Sequence, residues 1–226
     1  MQRAVYCHWL VEVGRGLRHL VFGSALVQAC ALIASMLAGG SATAAAVKVT
    51  PSEGQDSMMS LIGDIEPGDA ARMRDALEQA QKSGRPVRLL RLSSNGGQFQ
   101  ASLEVADVIR GHRLTTVVPT NHRCASGCVT LLAAGLEKIV ESGALVGVHA
   151  AAENGRETEA SRKVTQIQAQ VFRVLSVPDA VIEKMIATPH NQIAWLCPSE
   201  LRAMGAQLRP PVVAPPGCSF RRIEGQ

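Results

Sequence analysis

The chain has 226 residues, a formal net charge of +4 and 46% hydrophobic but only 3% aromatic residues. No basic stripe is interleaved with aromatics, so no nucleic-acid partner is expected, and the few rings offer no stacking platform for bases or sugars. The length suits one domain with a sizeable core once a leader is set aside.

The leader comes first. Met1 to His19 carries Arg3, Arg15 and Arg18 against one acid, Glu12; Leu20 to Leu37 is uncharged, and Ser41 to Ala46 is small throughout. A basic start, an apolar run and an Ala-x-Ala end describe a secretory signal peptide over residues 1–46. The alternative is a membrane anchor over residues 20–46, because Leu20 to Val47 is long enough to span a bilayer. Either way the domain is expected in the periplasm, secreted, or tethered outside the cytoplasm, with membrane contact only through this segment.

Residues 47–57 are polar without a period and read as a linker before a domain over 58–208. Met58 to Ile65 is β-compatible. Asp69 reads as an N-cap, followed by Met73, Leu77 and Ala80 at helical spacing. Gly84-Arg85-Pro86 ends that helix, and Val87 to Leu92 reads as a strand. Asn95-Gly96-Gly97 makes a sharp loop. Phe99 to Ile109 is helical, Leu114 to Val118 is a β-branched strand, and Ser126 to Ala134 is a helix apolar nearly all round, hence buried. Lys138 to Val140 and Ala144 to Val148 are short strands. After the polar loop Ala150 to Arg156, Glu157 to Leu175 is helical with Val164, Ile167, Val171 and Val174 as its apolar face. Pro178-Asp179 opens a further helix, and Pro198 to Leu201 a short last one closed by Gly205. Residues 209–226 form a proline-rich tail. Strand–helix alternation with apolar strands predicts an α/β fold with a largely parallel sheet.

Three segments carry candidate chemistry. Glycine accepts positive φ, so Asn95-Gly96-Gly97 can turn backbone N–H groups outward to stabilise an oxyanion; an ordinary turn is the plainer reading. Ser126 stands at a loop-to-helix junction, where free N–H groups favour negative charge; it is a nucleophile if a base takes its proton and otherwise an N-cap. His149 ends an apolar strand and has the basicity of a general base. The remaining candidates are cysteines. Past the leader stand Cys124, Cys128, Cys197 and Cys218, expected as disulfides in an oxidising compartment, with all three pairings open. No Cys-x-x-Cys pair suggests a metal site, and no metal or other cofactor is expected.

In this order the segments resemble the Clp/crotonase superfamily, most closely the Clp protease proteolytic subunit and its secreted or periplasmic relatives. Leu92-Ser93-Ser94-Asn95-Gly96-Gly97 resembles the family's Asn-Ser-Pro-Gly-Gly loop. Ala125-Ser126-Gly127 resembles its Ala-Ser-Met nucleophile segment, and Val148-His149 its Ile-His. The resemblance implies a spiral of β-β-α units, often assembled into homo-oligomeric rings. It also implies a serine peptidase with Ser126 as nucleophile, His149 as base and the Gly96 and Gly127 N–H groups as oxyanion hole, acting on a peptide or protein substrate. The family's aspartate falls close to Ile193, which cannot orient an imidazole. Asn191 is the nearest replacement, since an amide can hold a histidine. Lys163 and Lys184 raise a Ser-Lys dyad as a variant. The missing aspartate sets the alternative: a catalytically weak or inactive binding or assembly module on the same fold.

Overall fold

The computed structural model describes residues 45–51, 56–211 and 214–218. Residues 1–44 of the expected leader lie outside them, whereas Ala45 is buried and Ala46 opens the first strand. Among the described residues no helix is long and apolar enough to cross a membrane.

Nine strands and six helices are described, in the order β1 (Ala46–Pro51), β2 (Ser57–Ile62), α1 (Asp69–Lys82), β3 (Val87–Ser93), α2 (Phe99–Gly111), β4 (Thr115–Val118), β5 (Arg123–Ala125), α3 (Gly127–Ala134), β6 (Lys138–Val140), β7 (Leu145–Val148), α4 (Glu159–Val174), α5 (Asp179–Ala187), β8 (Ala194–Trp195), α6 (Pro198–Ala203) and β9 (Ala206–Leu208). The main sheet runs β1-β2-β3-β4-β6-β9, and a second sheet runs β5-β7-β8. Only the β1–β2 and β7–β8 pairs are antiparallel. The chain places one strand in the main sheet, the next in the second sheet, and then a helix: β4-β5-α3, followed by β6-β7-α4. These are the repeating β-β-α units of a Clp-like α/β spiral.

The sheets meet where β3 ends. Ser94 bridges to Cys124 of β5, donating its N–H to Arg123 O at 3.0 Å and accepting that of Ala125 at 3.0 Å. Every residue of α3 is buried, Thr130 included, as a sequence apolar nearly all round requires. Leu61, Leu90, Val105, Ile109, Leu131 and Phe172 join in one core.

Four expectations change. The linker expected over 47–57 begins as β1, because Val47 and Val49 pair antiparallel with β2 and pack on the core, which the polar residues between them conceal. Asp69 is the first helical residue rather than the N-cap. Gly68 holds that position at φ 95°, and the buried Asp69 carboxylate instead accepts the Glu66 N–H at 2.7 Å and meets Arg72. The tail is pinned: Arg209 N–H donates to Val140 O at 2.9 Å, and Cys218 is bonded to Cys197.

The fourth change concerns α4, whose buried face is rotated from the expected one, leaving Val164 and Val171 half-buried at its edge. Its buried residues are Ser161, Thr165, Gln168, Ala169 and Phe172, while Ile167 and Val174 are 47% and 72% exposed. Inward polar residues are tolerable where they are hydrogen-bonded. Ser161 forms a capping box with Thr158, and the Thr165 hydroxyl donates to Ser161 O at 3.1 Å.

Candidate functional site

Ser126 occupies the turn between β5 and α3. Its N–H donates to Gly147 O at 3.0 Å, which ties the turn to β7. Its backbone sits at φ 54°, ψ −125°, a conformation costly for a residue with a Cβ. A capping serine adopts extended backbone and bonds the first helical turn, but no side-chain cap bond forms here. The geometry is that of a side chain lifted out of a sharp strand-to-helix turn. A disulfide spans the turn: Cys124 and Cys128, both fully buried, are joined with their Cα atoms 5.2 Å apart. The second bridge, Cys197–Cys218, holds the tail to the start of α6. The two bridges fit an oxidising compartment and take all four side chains out of metal ligation.

Ser126 and His149 line one cleft of about 620 Å³, with Gly97 and Gly127 at its wall. The glycine loop explains the close approach. A Cβ on Gly96 would lie 2.7 Å from Ser126 Cβ, and one on Gly97 2.1 Å from Ile65 O; the two glycines have φ of 112° and 151°. A Cβ on Gly127 would meet Ser102 Oγ at 2.4 Å. Only glycine lets these three backbones press together.

The Gly96 N–H, expected in the oxyanion hole, is already used: it donates to Ser94 Oγ at 3.0 Å, and Gly96 does not line the cleft. Gly97 does. Its neighbours bind the Ile65 backbone, through Ile65 N–H to Gly96 O at 2.7 Å and Gln98 N–H to Ile65 O at 2.8 Å. The Gly97 N–H itself has no acceptor among the described residues, nor has that of Gly127. Two unengaged N–H groups at one cleft wall can stabilise developing negative charge.

His149 follows β7. Its Nδ1 lies 2.8 Å from Ala150 O. A carbonyl only accepts, so Nδ1 carries the hydrogen and the neutral ring keeps its Nε2 lone pair free. The acceptor peptide is held at its other end, where the Ala151 N–H donates to Thr165 Oγ1 at 2.9 Å. Asn191 is exposed, off the cleft lining and without a hydrogen bond to His149. Ile193, the residue expected near the aspartate position, packs toward Gly147, whose Cβ position lies 2.4 Å from Ile193 Cγ2. Neither lysine lines the cleft. Lys163 pairs with Glu159 at 3.0 Å, and Lys184 pairs with Glu200.

Sequence reasoning missed the Ala150 carbonyl, the Thr165 hydroxyl and Gln168, which also lines the cleft. For the two α4 residues a signal existed: Ser161, Thr165 and Gln168 recur at helical spacing beside an apolar stripe. The carbonyl has no side-chain signature. His190 bonds Glu157 on the surface, its backbone N–H 3.0 Å from Oε1, and this contact holds the Glu157 carboxyl below its ordinary pKa.

The paired sheets, the β-β-α repeat and a glycine loop set against a strand-to-helix turn define a Clp-like protease fold. The 1510-N membrane-bound stomatin-specific protease, solved as a serine mutant, is similar at TM-score 0.52 and 15% identity, over 66% of this chain and 76% of that one. ClpP1 from Listeria monocytogenes is similar at TM-score 0.52 and 15% identity, over 66% of this chain and 86% of that one. No family profile and no curated protein matches the sequence. At such identity the likeness is one of fold.

Proposed function

We propose that this chain is an exported serine hydrolase acting as a peptidase, with Ser126 as nucleophile, His149 as general base and the Gly97 and Gly127 N–H groups as oxyanion hole. The observation that carries the reading is the Ser126 backbone, held at φ 54° and ψ −125° between β5 and α3 on a cleft shared with His149. Strain of this kind persists only where the surroundings enforce it. Here a disulfide and three closely packed glycines do so.

His149 Nε2 takes the Ser126 hydroxyl proton as Oγ bonds to the substrate carbonyl carbon, and the carbonyl electrons move onto an oxygen facing Gly97 and Gly127. The imidazolium returns the proton to the leaving amine as the C–N bond breaks. Water, deprotonated by the same ring, then releases the acid and regenerates Ser126. The Ala150 carbonyl takes the orienting role of the absent aspartate. It sets the correct tautomer but offers a dipole in place of a full charge, so the imidazolium is stabilised less. The Thr165 hydroxyl positions that carbonyl by accepting the Ala151 N–H, and a hydrogen bond at one end of a peptide strengthens the other.

Fluorophosphonate labelling of Ser126, read by intact mass, tests the reading. His149→Ala should slow labelling on the order of 10³-fold. Thr165→Val should slow it roughly tenfold and lower the melting temperature, because two hydrogen bonds are lost, and Asn191→Ala should leave it unchanged. A folded protein with no Ser126 adduct leaves the same fold as a binding module.

The outward face of α4 supports assembly into a homo-oligomer. Ile167, Val171 and Val174 repeat along it with Ile167 and Val174 well exposed, an apolar stripe that a second copy would cover. Ile167→Glu with Val174→Glu should reduce the sedimenting species to a monomer.

A further inference from the structure

We infer that Gln168 is a specificity-determining residue, selecting a substrate side chain with a neutral hydrogen-bonding tip; this rests on the peptidase reading above. Gln168 is only 5% exposed and lines the same cleft as Ser126 and His149. Of the three polar side chains that α4 buries, Ser161 and Thr165 are satisfied within the fold. Ser161 Oγ donates to Thr158 O at 3.1 Å and accepts the Thr158 N–H at 2.9 Å. Thr165 Oγ1 donates to Ser161 O at 3.1 Å and accepts the Ala151 N–H at 2.9 Å. The Gln168 amide has no hydrogen-bond partner among the described residues and is not among the sealed-off polar atoms, and the residue lines the cleft.

An amide offers two donors and an acceptor. Burying it without partners is unfavourable, so a bound substrate must satisfy it or lose affinity. The neighbouring wall is apolar, formed by Phe99, Ala160 and Val164. Such a wall suits an apolar stem that ends in an amide or hydroxyl, as in Gln, Asn or Thr. The charged residues of the cleft, Asp64, Glu66 and Glu153, are all acidic, so a carboxylate tip beside Gln168 would be buried without a counter-charge, which is costly. A site built to hydrogen-bond a substrate group discriminates strongly against analogues that lack it.

The test is a cleavage-site profile of denatured casein digested by the purified protein, read by mass spectrometry, beside fluorophosphonate labelling of Ser126. Wild type should favour Gln, Asn, Ser or Thr at one position flanking the cut. Gln168→Leu should shift that position toward Leu and Met by on the order of 10²-fold, with Ser126 still labelled. Its melting temperature should not fall, because the amide has no partner to lose. Gln168→Glu should turn the same position toward Lys and Arg. Normal labelling with a profile unchanged in both variants overturns the inference and leaves the hydrolase reading standing. A uniform loss of cleavage without a change of profile also overturns it, since that marks a contact to the substrate main chain. Absence of any Ser126 adduct in wild type sinks the hydrolase reading and this one with it.

Discussion

Ser126→Ala should eliminate both fluorophosphonate labelling and peptide cleavage, a loss on the order of 10³-fold or more, while unfolding at nearly the wild-type temperature. The two outcomes follow from one geometry. Removing Oγ deletes the nucleophile, yet no cap hydrogen bond is lost, because the Ser126 side chain makes none to the helix it precedes. Alanine has the same Cβ and bears the same strain at φ 54°. Ser126→Gly relieves that strain and should be more stable than Ser126→Ala by about 1 kcal/mol, the cost of a Cβ in this region less the entropy that glycine loses on folding. Differential scanning calorimetry of the three proteins reads this directly. A capping serine predicts the opposite order, with alanine less stable than wild type by about 1 kcal/mol and labelling confined to other residues. An inactive variant that outlives the active protein marks a position where stability is given up for function.

Gly97→Ala should be the most damaging single substitution at the site. The added Cβ would lie 2.1 Å from Ile65 O and 2.5 Å from Ile65 N, and the position has φ 151°. Both clashing atoms are backbone and are engaged in the bridge that joins the loop to Ile65, so neither can yield without breaking it. The expected destabilisation is about 3 kcal/mol or more, from the sum of strain and lost bridge bonds, measured by urea unfolding. In the fraction that folds, labelling of Ser126 should fall by roughly 10²–10³-fold, because the Gly97 N–H no longer points where the oxyanion forms. Gly84→Ala is the control. Gly84 also has positive φ, at 72°, but a Cβ there meets nothing within 4 Å, so only the modest strain term of about 1 kcal/mol remains and labelling is unaffected.

These expectations depend on which elements could be read from the chain. The burial of α3 was legible because its sequence is apolar nearly all round and leaves no polar face for solvent. The parallel sheet was legible in its apolar strands. β5, β8 and β9 were not, because at two or three residues they lack both a period and the β-branched pair that marks the equally short β6. For α4 the helix itself was legible but its orientation was not. Two stripes compete, and hydrophobicity alone chooses the wrong one. The polar stripe turns inward because Ser161 and Thr165 find hydrogen-bond partners there, which no local pattern reports.

What the sequence determined by itself is the order of parts: a glycine loop, a serine between two cysteines, and a histidine at a strand end, on an α/β chain. Residue type carries that information, since only glycine relaxes a backbone and only a few side chains attack or accept protons. The tertiary structure alone decided how the parts are wired. It withdrew Gly96, whose N–H binds Ser94, and left Gly97 free. It paired Cys124 with Cys128 and Cys197 with Cys218. It set the Ala150 carbonyl on His149 where Asn191 was expected. Backbone N–H and C=O groups are the same at nearly every position, so which of them is left unengaged is settled only when the strands and helices have claimed the rest.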